Sequence, residues 1–212
     1  MNIALLSAII SFLSLDTTIA FQMLISSPLF SCPILGLILG DARLGFEMGF
    51  LLQLLWIGRI PAGASIVPEG NIASMIVTTL VILNRHNAFP NSTLMLVFLE
   101  GILISYLGAV ITIFYRKLNG KIFDVAIKQI ESARFKFIIC LEAISVILYF
   151  VLMFAFTYLA ILSSQIILPE WITIIGEIFE EQLIIVKPTI LGLGLAMTLP
   201  LLWETLTKAA RR

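Results

Sequence analysis

The feature that most constrains this chain is the length of its apolar runs. Leu94 to Tyr115 carries one charge, Glu100; Phe137 to Leu168 carries one, Glu142; Leu183 to Leu206 carries Lys187 near its start and Glu204 near its end. A helix rises about 1.5 Å per residue, so roughly 20 apolar residues cross the hydrocarbon core of a bilayer, and each run meets that length. Composition agrees, with 60% hydrophobic and 12% charged residues and a mean hydropathy of +1.09, where a soluble domain is about 25% charged. The 13 basic residues balance the 13 acidic ones, which leaves no net field to gather nucleic acid. The expectation is an all-α, polytopic membrane protein with transmembrane helices.

Residues 1–83 are equally apolar but differently built. Asp16, Pro28, Pro33, Gly40-Asp41, Gly58-Arg59, Pro61, Gly63 and Pro68-Glu69-Gly70 interrupt short runs. In lipid every backbone N–H and C=O needs an internal partner, so breaks are tolerated only where protein or a water-filled cavity covers them. The spacing therefore predicts broken or re-entrant segments lining a cavity, as in transporters. Met1 to Leu15 has no basic residue ahead of it and no small-x-small pattern behind it, and reads as mature membrane structure.

Arg116, Lys117, Lys121, Lys128, Arg134 and Lys136 crowd one connector, and Lys208, Arg211 and Arg212 close the chain; by the positive-inside rule both face the cytoplasm. Within 116–136 the apolar Leu118, Ile122, Ala126, Ile130 and Ala133 recur every three or four positions, which predicts an amphipathic interfacial helix in contact with membrane lipid. The connector around Glu170, Glu177, Glu180 and Glu181 lies outside; Pro169-Glu170 reads as the start of a short helix and Lys187-Pro188 as its stop. The organisation expected is a broken-helix core (1–83), an outer loop and span (84–115), the basic helix (116–136) and C-terminal spans with an acidic connector (137–212).

Ionisable groups in membrane segments are costly and usually face a cavity or partner. They concentrate here at Asp16, Asp41, Arg43, Glu47, Arg59 and Glu69, with the amides Gln22, Gln53 and Asn71. Gly40-Asp41 reads as a turn at a helix end, and Arg43 to Glu47 as an i, i+4 pair. The segment Trp56 to Asn71 sets Arg59, Glu69 and Asn71 beside backbone freed by prolines and glycines. Carboxylate, amide and free backbone, with Trp56 to cover a ring face, suit a neutral sugar. His86 is the only histidine and falls in a polar turn, so no nucleophilic triad forms. Cys32 and Cys140 lie apart in apolar runs, without metal-ligand spacing. No catalytic residue, metal or cofactor is expected.

Residues 14–82 resemble the membrane subunit IIC of the mannose/fructose/sorbose class of bacterial phosphotransferase systems. The landmarks are Leu15-Asp16, Gln22, Pro28-Leu29, Gly36, Leu39-Gly40-Asp41, Gly45, Gly58, Gly63-Ala64, Pro68-Glu69 and Ala73-Ser74, with a further match at Gly192 to Met197. The resemblance implies a multi-pass protein of the bacterial cytoplasmic (inner) membrane that translocates a hexose beside a IID membrane subunit, as part of an oligomer. Soluble IIA and IIB relay phosphate from phosphoenolpyruvate, and phosphoryl transfer to the sugar occurs on IIB, so this subunit is not itself an enzyme. It also implies re-entrant elements and a moving core. Taken with the reading of the Trp56 to Asn71 segment, the substrate-binding residues expected are Gln22, Gln53, Gly63, Ala64, Glu69 and Asn71.

Gln53 stands where mannose members commonly have Glu, Pro61 where they have Asn, Ser27 where many have Arg, and Glu69 where Asp is common. The chain also ends roughly two hydrophobic segments before a usual member does. An alternative function is a non-transporting scaffold that recruits the phosphocarriers through 116–136; a third is an ion-coupled transporter using Glu100 and Glu142.

Overall fold

The computed structural model describes residues 2–20, 22–57, 67–130 and 135–210. All regular structure among them is helical. The order is α1 (Ile3–Thr18), α2 (Pro28–Leu39), α3 (Ala42–Trp56), α4 (Gly70–Leu83), α5 (Pro90–Ile130), α6 (Phe135–Phe179), a 3₁₀ turn (Gln182–Ile185) and α7 (Val186–Ala210).

The expected spans are present as α5, α6 and α7, the 3 helices among the described residues that are long and apolar enough to cross a membrane. At 41 residues α5 is about 60 Å long, twice the hydrocarbon thickness. Leu99, Leu103, Leu107 and Val110 on α5, and Ile147 and Val151 on α6, are exposed, as a lipid-facing surface requires. Helices α1 to α4 have 16, 12, 15 and 14 residues, short of the roughly 20 that a full crossing needs. Of the interruptions noted in the sequence, Gly40-Asp41 separates α2 from α3, Pro68-Glu69 precedes α4 and Pro28 opens α2, whereas Asp16 lies inside α1 and Pro33 inside α2.

Residue contacts fix the directions. Ser11 meets Thr157 and Thr18 meets Tyr149, so α1 runs antiparallel to α6. Gly36 lies against Gly45, closing α2 and α3 into a hairpin around Gly40, whose φ of 80° ends α2 in the left-handed region; Asp41 then caps α3 through the Leu44 N–H at 3.0 Å. Val77 packs on Gly101 and Glu69 on Gly108, which sets α4 antiparallel to α5. Glu47 pairs with Lys187 and Leu54 packs on Gly194, which makes α3 parallel to α7. The acidic end, expected outside from the charge pattern, therefore gathers the end of α2, the starts of α3, α5 and α7 and the ends of α4 and α6. The last turns of α1 and α3 and the first turns of α2 and α4 lie toward the basic end, expected inside by the same rule.

Three local expectations are revised. The amphipathic stretch is helical through Ile130 but begins no helix of its own, because nothing at Arg116 interrupts the hydrogen-bond ladder of α5; Arg116, Lys117 and Lys121 sit on the inward continuation of a span. Pro169 lies inside α6 rather than at a helix start, since one missing N–H does not stop a helix that continues on both sides. Lys187-Pro188 opens α7 instead of ending a helix, the first turn being where proline's missing donor costs least.

Candidate functional site

Helix ends are the costly places inside a bilayer, because the first N–H and last C=O groups have no partner within the helix. Polar side chains gather where the short helices end. Asp16, in the last turns of α1 and 5% exposed, accepts the Met23 N–H at 2.7 Å on one carboxylate oxygen and the Ser26 N–H at 3.0 Å on the other. These bonds hold a turn in which Gln22 (φ 50°) and Leu24 (φ 64°) are left-handed, a conformation that costs a residue with a side chain about 1–2 kcal/mol. Asn71 Nδ2 donates to the buried Ser26 hydroxyl at 3.2 Å. One line, Asp16 to Ser26 to Asn71, thus joins α1, the turn and the first turn of α4. On α3, Gln53 Oε1 accepts the Leu29 N–H at 3.3 Å and so serves the first turn of α2.

Glu69 occupies the N-cap position of α4, but its side chain makes no capping bond. Its N–H donates to the Ser105 carbonyl at 2.9 Å, its carboxylate accepts the Thr112 hydroxyl at 2.7 Å, and its Cβ would lie 3.0 Å from a Cβ placed on Gly108. Arg116, one turn beyond Thr112, and Tyr149 on α6 are within electrostatic reach. The fully buried Tyr149 contacts the Thr18 hydroxyl at 3.2 Å and meets the Tyr115 ring edge-on at 5.0 Å. The Ser145 hydroxyl donates to Asn119 Oδ1 at 2.6 Å, so the Tyr115 hydroxyl donates to Ser145 at 2.7 Å. Carboxylates, amides and hydroxyls from α1, α4, α5 and α6 therefore share the inner part of the bundle.

Trp56 has a more restricted place than the sequence suggested. A Cβ on Gly70 would sit 2.4 Å from Trp56 Cδ2, so the indole packs flat against the start of α4. Its N–H has no hydrogen-bond partner among the described residues, and its ring lies against Gly70, which stands between Glu69 and Asn71 in the sequence.

Of the residues read as sugar contacts, Asn71 and Gln53 are brought to the ends of α1 and α2, Glu69 turns toward α5, and Gln22 lies in the turn held by Asp16 with its side chain exposed. Gly63 and Ala64, and Arg59 with them, lie outside the described residues. Asp16, Ser26, Thr112 and Tyr149 belong to this hydrogen-bonded cluster and are not among the sugar contacts selected from the sequence. Asp16 had a signal, a carboxylate closing an apolar run; single hydroxyls in apolar spans have none. The expected Arg43–Glu47 pair is replaced by Glu47 with Lys187. Glu100 takes the Ser164 hydroxyl across α5 and α6, whereas Glu142 is exposed.

A family model described as the phosphotransferase system sorbose-specific IIC component matches residues 1–208. The chain belongs to this IIC family. Over 109 residues it is 32% identical to the sorbose-specific EIIC component of Klebsiella pneumoniae, covering 51% of this chain and 39% of the relative. Over 92 residues it is 30% identical to the mannose-specific EIIC component of Escherichia coli (strain K12), covering 43% and 32%. The aligned part of this IIC chain thus spans about two fifths of the sorbose relative's length. In fold it matches a chain from a solved "Structure of membrane protein" with a TM-score of 0.74 at 24% identity, over 98% of this chain and 85% of that one. It also matches one from the "CryoEM Structure of Mannose Transporter ManYZ and Microcin E492 (MceA) complex", with a TM-score of 0.63 at 22% identity over 98% and 84%. This IIC chain is accordingly a multi-pass inner-membrane protein whose regular structure, among the described residues, is all helical.

Proposed function

We propose that this IIC chain moves a hexose of the mannose/fructose/sorbose type inward across the cytoplasmic membrane. It works beside a IID membrane subunit, while soluble IIA and IIB relay phosphate and IIB phosphorylates the sugar at the cytoplasmic mouth. The chain itself binds and moves sugar and performs no phosphoryl transfer. Relatives named for sorbose, mannose and fructose support the substrate class.

The observation that carries this reading is the gathering of Asp16, Ser26, Asn71 and Glu69 where four short helices end part-way through the bundle. Such groups hydrogen-bond the hydroxyls of a neutral sugar and match the water they displace. Phosphoenolpyruvate-dependent uptake, measured in vesicles holding the cognate partners, is expected to vanish in Glu69→Ala and to fall steeply in Asn71→Ala. Full uptake in both variants would overturn the proposal.

A scaffold role has one observation in its favour, the exposed Arg116, Lys117 and Lys121 on the inward continuation of α5, which suit an acidic partner surface. Retention of IIB by a chain that takes up no sugar of this class would select that reading.

A further inference from the structure

At the outer end of the bundle a cavity of about 300 Å³ opens between the starts of α3, α5 and α7 and the end of α4. Its polar wall includes Glu47 and Lys187, whose charged ends pair across α3 and α7, together with Asn84 and Asn91. Its apolar wall includes Met48 and Leu94. We infer that this cavity is a second sugar-binding site of the chain, an outer site where one neutral hexose docks before it reaches the inner cluster. The inference rests on the proposed transport role and adds to it a place and a selectivity.

Three observations carry the assignment. The first is size: small-molecule pockets begin at about 300 Å³, and this cavity of about 300 Å³ accommodates a single sugar ring. The second is charge. Glu47 and Lys187 offset each other, and the Arg85 guanidinium at the rim is turned to the Leu39 and Ile82 carbonyls at 3.3 and 3.5 Å. An anionic ligand meets the Glu47 carboxylate and a cationic one meets the Lys187 ammonium. A neutral polyol meets neither penalty, since its hydroxyls donate to the carboxylate and accept from the ammonium, and such charge-assisted bonds are the strong ones. The apolar wall faces the C–H side of a ring.

The third observation is position. The Lys187 side chain is 53% exposed and the Glu47 side chain 33%, so the wall is open to the outer medium. Asn84, at this cavity, and Asn71, in the inner cluster, stand at opposite ends of α4, about 20 Å apart along the helix. Between them Ile72, Met75, Ile76 and Leu80 are fully buried. The two sites are therefore separate and divided by packed side chains, and a sugar held at the outer one has not crossed.

The experiment is equilibrium binding of radiolabelled D-mannose, D-fructose and L-sorbose to the full chain in lipid nanodiscs, with stoichiometry as the readout. Two bound sugars per chain are expected for at least one probe. Leu94→Trp fills the cavity and leaves the ion pair intact; Glu47→Gln removes one charged partner. Each is expected to weaken one of the two sites about tenfold or more and to spare the other, while Glu69→Ala removes the spared one. Glucosamine and gluconate are expected not to compete at the outer site. Wild-type binding in Leu94→Trp overturns the outer site, whatever Glu47→Gln does, and so does a single site lost only in Glu69→Ala; both results leave the inner reading standing. Two sites that both survive Glu69→Ala sink the inner assignment alone. No binding of any probe to the wild-type chain overturns both.

Discussion

Across the interface of α4 and α5, the Thr112 hydroxyl donates to the Glu69 carboxylate at 2.7 Å. The bond ties the residue that heads a short helix to the middle of a long one. Because Glu69 sits at the N-cap without capping, its carboxylate is committed to α5, and Thr112 is what keeps it there.

Thr112→Val has nearly the same shape and removes only the donor. A buried acceptor left without its partner costs about 1–3 kcal/mol, so the thermal midpoint in detergent is expected to fall by an amount that Thr112→Ser restores. Sugar uptake should fall with it, since the freed carboxylate turns away. A valine variant as stable and as active as wild type would show that Glu69 finds its place unaided.

Asp16→Asn tests the turn between α1 and α2. The amide keeps one acceptor oxygen but aims an NH₂ at the other backbone N–H, so one of the Met23 and Ser26 bonds becomes a donor facing a donor. With Gln22 and Leu24 already in the left-handed region, the turn is left to the Asn71 and Ser31 bonds at Ser26 and to its own backbone bonds, such as Ser27 N–H to the Leu24 carbonyl at 3.0 Å. Limited proteolysis is expected to cut first within 20–27 in the variant and not in wild type, and the stability loss is about 1–3 kcal/mol. An unchanged cleavage pattern would mean the turn is fixed without Asp16.

The long spans were legible because hydropathy accumulates over many residues and tolerates a lone Glu100 or Lys187. The Gly40-Asp41 turn was legible because its chemistry is local: a left-handed residue, then a capping carboxylate. What could not be read was pairing over distance. Nothing near Asp16 announces Asn71, and nothing near Glu47 announces Lys187. The stretch from Arg116 to Ile130 shows the converse limit. Its period was read correctly as helical, but period carries no information on whether a helix is new or continues the one before it.

Glu180 gives the chain a pH dependence at its outer end. Its carboxylate, at the end of α6, accepts the Asn91 N–H at 2.7 Å, the Ser92 N–H at 2.9 Å and the Ser92 hydroxyl at 2.6 Å, capping the start of α5. Partial burial acts to raise its pKa, but the Ser92 hydroxyl and the Asn91 and Ser92 amides together outweigh it and hold the carboxyl below the ordinary carboxylate value. A group whose folded pKa is depressed contributes stability that is fully present above its unfolded pKa, about 4.3, and is lost as pH falls through the folded value. Solvent screens this partly exposed site, so Glu180→Gln is expected to cost about 0.5–1 kcal/mol at pH 7. Thermal unfolding at pH 7 and pH 3 reads it: the gap between wild type and variant should close in acid. A gap independent of pH would mean the carboxylate's charge is irrelevant to the cap.

Two glycines separate close packing from helix propensity. A Cβ on Gly45 would come within 2.7 Å of both the Cys32 carbonyl oxygen and Gly36 Cα, so both obstacles are backbone and the α2–α3 hairpin must spread to admit it. Forcing atoms into such a contact costs about 1–3 kcal/mol. Around Gly120, on the inward continuation of α5, nothing lies within 4 Å, and alanine there gains about 0.8–1 kcal/mol of helix propensity. Gly45→Ala should therefore lower the thermal midpoint and Gly120→Ala raise or hold it. Because the hairpin carries the Leu29 amide to Gln53, the loss in Gly45→Ala should extend to sugar uptake, whereas Gly120→Ala should transport like wild type. Opposite signs in stability with equal uptake would detach the hairpin from the site.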